Sequence, residues 1–394
     1  MLAGLLFAVD DATDQPGRLI ATLPFGGVTL IEYQARLLIA AGCTQIVVLV
    51  ARLTPELLGA VARIGRRGVT VDAVRQVSEA AAKLHPLSRV LTLADGLITV
   101  PRVAGLLAGD GGDALLVVAQ GDAGAAFERV GGGMAWAGVA RLDPRRIAET
   151  ARLPLDYDPQ SALLRVVEQA HGVHVLLPAE ALAQGHGIER GAAALAQRGR
   201  ATLAAIVSDR RGWFDRGAVA PLARAALPAM VDRRWPGAAV SAAAMLIGAV
   251  GLVAIGSGWG RAGLVLAFLA CLQLALGATL SGVRDEPTAE RLALTAGLAI
   301  PALAVLIEGA ALSGRAGNLA ALAVACALVT LGALAERAGP ERARAGWWGS
   351  APAYLLLVTL GALAGWPVAS MAVAAGYATL TLAAAIERLR RRLA

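Results

Sequence analysis

Short apolar runs alternate with helical patterns over the first two hundred or so residues. Leu5–Val9, Gln45–Val50, Arg89–Leu93, Ala114–Ala119, Ala135–Ala140 and Val173–Leu177 read as strands, most of them apolar on both faces. Between them, Leu30–Ala41 and Pro55–Arg63 carry apolar residues at helical spacing. Thr54 before Pro55 predicts a capped helix start, and Gly42 a helix end. This alternation predicts an α/β domain with a mostly parallel sheet over residues 1–205.

The pattern changes after residue 205. In 206–236, Val219, Leu222, Ala223, Ala226, Leu227 and Met230 recur at helical spacing between Trp213 and Trp235. An interfacial amphipathic helix is expected, kinked or broken at Pro221 and Pro228; the alternative is a linker helix packed on the soluble domain. Over 237–394 six apolar runs follow: Ala238–Ser257, Ala262–Gly282, Leu292–Leu312, Asn318–Ala335, Gly346–Ala364 and Pro367–Ile386. Each approaches the ~20 residues that cross a ~30 Å hydrocarbon core, which predicts an all-α six-helix transmembrane domain. Gly256-x-x-x-Gly260 and Gly361-x-x-x-Gly365 are candidate sites of close helix packing.

The connecting charges orient these spans. Arg210, Arg211, Arg216, Arg224, Arg233 and Arg234 precede the first, and Arg284 and Arg291 lie between the second and third. Arg337, Arg342 and Arg344 lie between the fourth and fifth, and Arg388, Arg390, Arg391 and Arg392 end the chain. The opposite side has only Arg261 and Arg315. Both termini are therefore expected in the cytoplasm, with the chain in a bacterial inner membrane.

Composition agrees with two unlike halves. Of the 394 residues 57% are hydrophobic, too many for an ordinary soluble protein. All four histidines lie before residue 236, and Asp285 is the only aspartate after Asp232. The net charge of +7 is carried by arginine, since Lys83 is the sole lysine. No aromatic-interleaved basic patch accompanies it, so lipid head groups rather than nucleic acid are the expected partner. Cys43, Cys271 and Cys326 have neither disulfide nor metal-knuckle spacing, which implies a reducing compartment. Met1–Val9 lacks the basic start of a signal peptide.

The stretches Pro24–Tyr33 and Leu37–Val48 resemble the sugar-phosphate nucleotidyltransferases, and Leu93-Ala94-Asp95-Gly96 is similar to the metal-binding Asp-Gly segment of that family. Leu155-Asp156-Tyr157-Asp158 with Ala162–Arg165 resembles a segment of the cytidylyltransferases that make CDP-inositol. The resemblance implies nucleotide contacts at Arg18, Asp95, Gly96 and Asp158, with Asp95 as a metal ligand. Asp95 has an alternative reading as a strand-end aspartate bonding the turn at Gly96. The loop after the first strand departs from the family. Ala8–Arg18 holds one glycine and three aspartates where a glycine-rich loop would cradle a triphosphate, and Pro16 removes a donor N–H. His171 and His174 are expected on opposite faces of a strand. Gly131-Gly132-Gly133 reads as a flexible turn.

Arg211-Gly212-Trp213-Phe214-Asp215-Arg216 resembles the Asp-Gly-Trp entry to a CDP-alcohol phosphatidyltransferase domain, and Leu276–Arg284 falls where the metal motif of that family starts. The two resemblances together imply a fused cytidylyltransferase and phosphatidyltransferase layout, head-group contacts at Arg211, Trp213, Arg216, Arg284 and Arg291, and a homodimer. The family's four-aspartate motif would hold Mg²⁺ or Mn²⁺ on a CDP-linked lipid or nucleotide. Here the acids nearest that place are Asp285, Glu286 and Glu290, with Asp285 the candidate metal ligand and Pro287 expected to interrupt the helix. Two readings follow. One is a non-catalytic binding or scaffolding relative in bacterial phospholipid metabolism; the other is an active transferase of a phospho-alcohol. Transport is disfavoured, because Glu308 and Gln273 are nearly the only strongly polar side chains within the spans.

Overall fold

The computed structural model describes the chain except residues 155, 209–211, 234, 285, 339–344 and 394, and except the side chains of 203–208, 232, 392 and 393. Arg211 and Asp285 thus lie outside the described residues, as do Arg210, Arg234, Arg342 and Arg344. The chain divides into two compact units, Met1–Thr202 and Leu203–Ala394.

The first unit is built on one sheet. Its strands are β1 (Leu2–Ala8), β2 (Gln45–Val50), β3 (Thr70–Val74), β4 (Arg89–Leu93), β5 (Ala114–Ala119), β6 (Glu128–Val130), β7 (Met134–Leu142) and β8 (Val173–Leu176). The order is β8-β5-β7-β4-β1-β2-β3, with β6 paired to β7. Only β7 runs against the other strands, so the sheet is mostly parallel, as the strand–helix alternation predicts. The edge strand β3 escaped the sequence pattern because it carries Asp72 and is only partly buried.

The helices beside the sheet start where their sequences cap them. In α1 (Leu30–Ala40), Thr29 and Glu32 form a capping box, and Arg63 of α2 (Pro55–Gly65) donates to Glu32 at 2.7 Å. Thr54 caps α2 by accepting from the Leu57 amide at 3.2 Å. Two further helices matter for the site, α3 (Pro159–Gln169) and α4 (Ala192–Ser208). From β1 the chain steps outward to β2 and β3, then returns to β4 on the other side of β1. This reversal puts the topological switch point, where open α/β sheets characteristically form a ligand crevice, at the carboxyl ends of β1 and β4.

The second unit is helical: α5 (Ala220–Asp232), α6 (Gly237–Gly256), α7 (Gly260–Arg284), α8 (Pro287–Ala316), α9 (Ala320–Ala338), α10 (Ala351–Leu363) and α11 (Pro367–Leu393). Among the described residues, α6, α7, α8, α9 and α11 are long and apolar enough to cross a membrane. The remaining run, expected over Gly346–Ala364, is helical only from Ala351. At ~1.5 Å per residue, α10 spans about 20 Å. Before it, the Gly349 amide donates to Thr381 at 3.2 Å and the Tyr354 ring packs against Gly349, which holds the chain out of a helix.

Small residues set the contact between α6 and α7. Gly237 lies against Ser281, Ser241 against Gly277, and Gly251 against Gly263 and Ala267. The close approach is therefore carried by this pairing. Gly256 and Gly260 instead flank the turn between the helices. Pro287 does not interrupt a helix but starts α8, because a first-turn proline lacks only an N–H that would be unpaired anyway. Likewise Pro221 sits in the first turn of α5 and Pro228 is accommodated within it. On α5, Ala220, Ala223 and Leu227 bury against Val240, Leu276 and Leu280, whereas Leu222 is exposed. Just before it, Phe214 packs with Ala353 and Phe268.

Candidate functional site

Asp95 follows β4 and stands at the crevice. Its Oδ2 accepts hydrogen bonds from the amides of Val9 and Asp10, both at 3.0 Å, so it ties the end of β4 to the end of β1. Its own amide donates to Gln160 Oε1 at 2.9 Å, and Gln160 Nε2 donates to Glu128 at 3.0 Å. Asp95 is 3% exposed. Burial, with the charge of Asp10 adding to it, pushes its carboxyl up to about 7. Its Oδ1 has no hydrogen-bond partner among the described residues. Gly96 is required here: φ is +80°, and a Cβ would strike the Glu189 carbonyl.

The other acids of the crevice are Asp10, Glu128 and Asp158. Burial raises the Asp10 pKa, Asp158, Glu128 and Asp11 raise it further, and Arg190 opposes them. Asp158 caps α3, accepting from the Ser161 amide at 2.7 Å. The fold therefore brings together two of the nucleotide candidates, Asp95 and Asp158, with Asp10, Glu128 and Arg190. Sequence reasoning missed the last two, which sit on a short strand and a loop without a motif.

Where a glycine-rich loop would stand, the chain forms a β-hairpin, Asp11–Ala12 with Gln15–Leu19. Its aspartates are engaged locally. Asp11 pairs with Arg52 and accepts from the Gly17 amide at 3.1 Å. Asp14 accepts from the Ala192 and Ala193 amides at 2.7 and 2.9 Å, at the start of α4. Arg18 bonds Gln15 of the same hairpin at 3.1 Å. Backbone donors hold the Asp14 carboxyl below its ordinary value, and the Arg52 hydrogen bond does the same for Asp11. The two histidines expected on one strand are separated: His174 lies on β8 and bonds Glu168 at 2.9 Å, whereas His171 has φ of 56° and precedes the strand.

In the second unit, Glu286 Oε2 accepts from the Ala238 amide at 3.3 Å, at the start of α6. The Glu290 carboxylate lies beside Gly282, where a Cβ would come within 3.0 Å of Oε1. Arg284 ends α7, Glu286 lies in the short link, and Glu290 sits in the first turn of α8, with Arg291 exposed one residue beyond it. Trp213 and Arg216 are elsewhere: Trp213 Nε1 donates to the Tyr377 hydroxyl at 2.8 Å, and Arg216 donates to the Gly346 carbonyl at 3.4 Å. The head-group candidates thus form two groups. Glu308, 3% exposed, lies near the far end of α8, its carboxylate against Gly260. Among the described residues, no three His, Cys, Asp or Glu side chains converge to hold a metal ion.

No protein-family model matches the chain, and no curated protein matches it. Among solved structures, a UDP-glucose pyrophosphorylase complexed with UDP-glucose is similar over 43% of this chain and 86% of its own, at 12% identity and TM-score 0.32. A UDP-glucose pyrophosphorylase from Acinetobacter baumanii is similar over 51% of this chain and 92% of its own, at 13% identity and TM-score 0.35. Likenesses at these scores assign no activity.

Proposed function

We propose that the chain is a membrane protein of bacterial phospholipid metabolism that binds or scaffolds rather than transfers. In this reading the first unit is a cytoplasmic nucleotidyltransferase-like domain, and the helical unit is a CDP-alcohol phosphatidyltransferase-like domain in the inner membrane. Both termini face the cytoplasm, as the arginine distribution favours. The lipid setting rests on the sequence resemblances, which are analogy.

One observation carries the non-catalytic part. Three of the described candidate acids, Asp95, Asp158 and Glu286, are engaged with backbone amides. Asp95 holds Val9 and Asp10, Asp158 holds Ser161, and Glu286 holds Ala238. A carboxylate oxygen that satisfies an N–H in this way is used for folding, and releasing it leaves a donor unpaired.

The test is equilibrium binding of CTP and of a CDP-linked lipid to the purified full-length protein with Mg²⁺ or Mn²⁺. The reading predicts no metal-dependent binding of either. Metal-dependent binding that is lost in Asp285→Asn and Glu286→Gln would sink this reading and favour the alternative, a transferase using Asp285, Glu286 and Glu290.

A further inference from the structure

Glu308 is buried inside the helical unit, about two turns before the end of α8. Its carboxylate is seated on Gly260, the first residue of α7, where a Cβ would collide with both oxygens. The missing side chain at Gly260 is thus what lets the carboxylate reach the start of that helix. Oε2 is shut off from solvent and has no hydrogen-bond partner among the described residues. No cation of the chain supplies one. The charged and titratable groups at this end of the helices are Arg261 on α7, Arg315 on α8 and Cys326 on α9, all exposed. Neither arginine forms an ion pair with Glu308 among the described residues, and Arg315 acts on it only at longer range. The helices α6 and α10 carry no charged side chain, and the charges of α9 and α11 begin at Glu336 and Glu387, near their other ends.

Two opposing effects act on this carboxylate. A bare charge among apolar helices is costly unless a partner neutralises it. The positive end of α7, a helix of 25 residues, favours the same charge. A carboxylate held between the two can take up a cation and release it again. We propose that Glu308 and the start of α7 form a binding site for one small monovalent cation, a proton or a sodium ion. The ion enters at the end of the unit where α6 turns into α7 and α8 into α9. A single carboxylate makes a site and no path, so binding here is not transport. The site is independent of any nucleotide or lipid chemistry elsewhere in the chain.

The probe is dicyclohexylcarbodiimide, an apolar reagent that modifies protonated carboxyls, applied to the full-length protein in detergent. Mass spectrometry of the peptide carrying Glu308 reads the result. The site predicts modification of Glu308 at acidic pH that is lost as pH rises. Protection by sodium chloride but not by potassium chloride assigns the ion as sodium, and equal modification in the two salts assigns the proton. The thermal midpoint gives a second reading that does not depend on access of the reagent. It should shift with pH or sodium in the wild type and not in Glu308→Gln, which keeps the shape and removes the exchangeable charge. Divergent midpoints with Glu308 unmodified support the site, the reagent being barred by the packing on Gly260. Modification equal at every pH and in either salt would overturn the proposal, because the carboxyl then never releases its proton. An unmodified Glu308, with the two midpoints responding alike to pH and sodium, would overturn it as well.

Discussion

The Asp95 carboxylate accepts the backbone amide of Asp10 at 3.0 Å, and so bridges the two central strands at the point where the chain reverses its order in the sheet. The residue that most resembles a metal ligand thus also holds the crevice together.

Replacing Asp95 by alanine leaves the Val9 and Asp10 amides without their acceptor. The cost expected for buried donors is about 2–4 kcal/mol, read as a lower thermal midpoint of the purified protein.

The same residue sets a pH dependence. Its carboxyl titrates at about 7 in the fold against an ordinary value of 3.8, so the folded state binds the extra proton. Its contribution to stability is complete below the ordinary value and is lost as pH rises through about 7. Between those limits the wild-type thermal midpoint should fall with pH more steeply than that of Asp95→Asn. Parallel curves for the two proteins would contradict this.

In the helical unit, a side chain at Gly277 would strike Ser241. Gly277→Val should destabilise the protein by about 1–3 kcal/mol, the usual cost of overpacking. Gly297 has nothing within 4 Å of its Cβ position, so Gly297→Ala should be neutral or slightly stabilising. Melting curves of the two variants compare them directly.

Phe214 is 3% exposed and packs on Phe268, whereas Trp235 is 47% exposed. Phe214→Ala should cost about 3–5 kcal/mol, and Trp235→Ala should stay within about 0.5 kcal/mol. The reverse order would show that the segment 206–236 is anchored through Trp235 rather than Phe214.

Orientation is testable with single cysteines in a background lacking Cys43, Cys271 and Cys326. A thiol placed at Thr288 should react with an impermeant reagent only in opened membranes, and one at Ser257 in intact cells. Labelling of Thr288 from outside would reverse the topology inferred from the arginines.

Much of the fold was legible in the sequence for an identifiable reason. Strands such as Gln45–Val50 and Ala114–Ala119 are buried nearly throughout, so an unbroken apolar run marks them. The long apolar helices announce themselves in the same way. The hairpin Asp11–Leu19 was not legible, because it is held by side chain to backbone bonds reaching Ala192 and Asp95, far along the chain. The α5 stripe was correctly periodic, but periodicity does not say what covers a face. Pro287 misled because its effect depends on whether it falls inside a helix or in the first turn. At the site, Asp95-Gly96 was visible as a strand-end pair. Its link through Gln160 to Glu128 was not, since a sequence shows no contact between residues so far apart.

The central claim is that the candidate acids serve the backbone rather than a metal ion. It is tested most directly by titrating the full-length protein with Mn²⁺ and following the free-ion signal by electron paramagnetic resonance. The account predicts no stoichiometric loss of signal in the wild type. A bound Mn²⁺ per chain that disappears in Asp95→Asn or Glu286→Gln would contradict it.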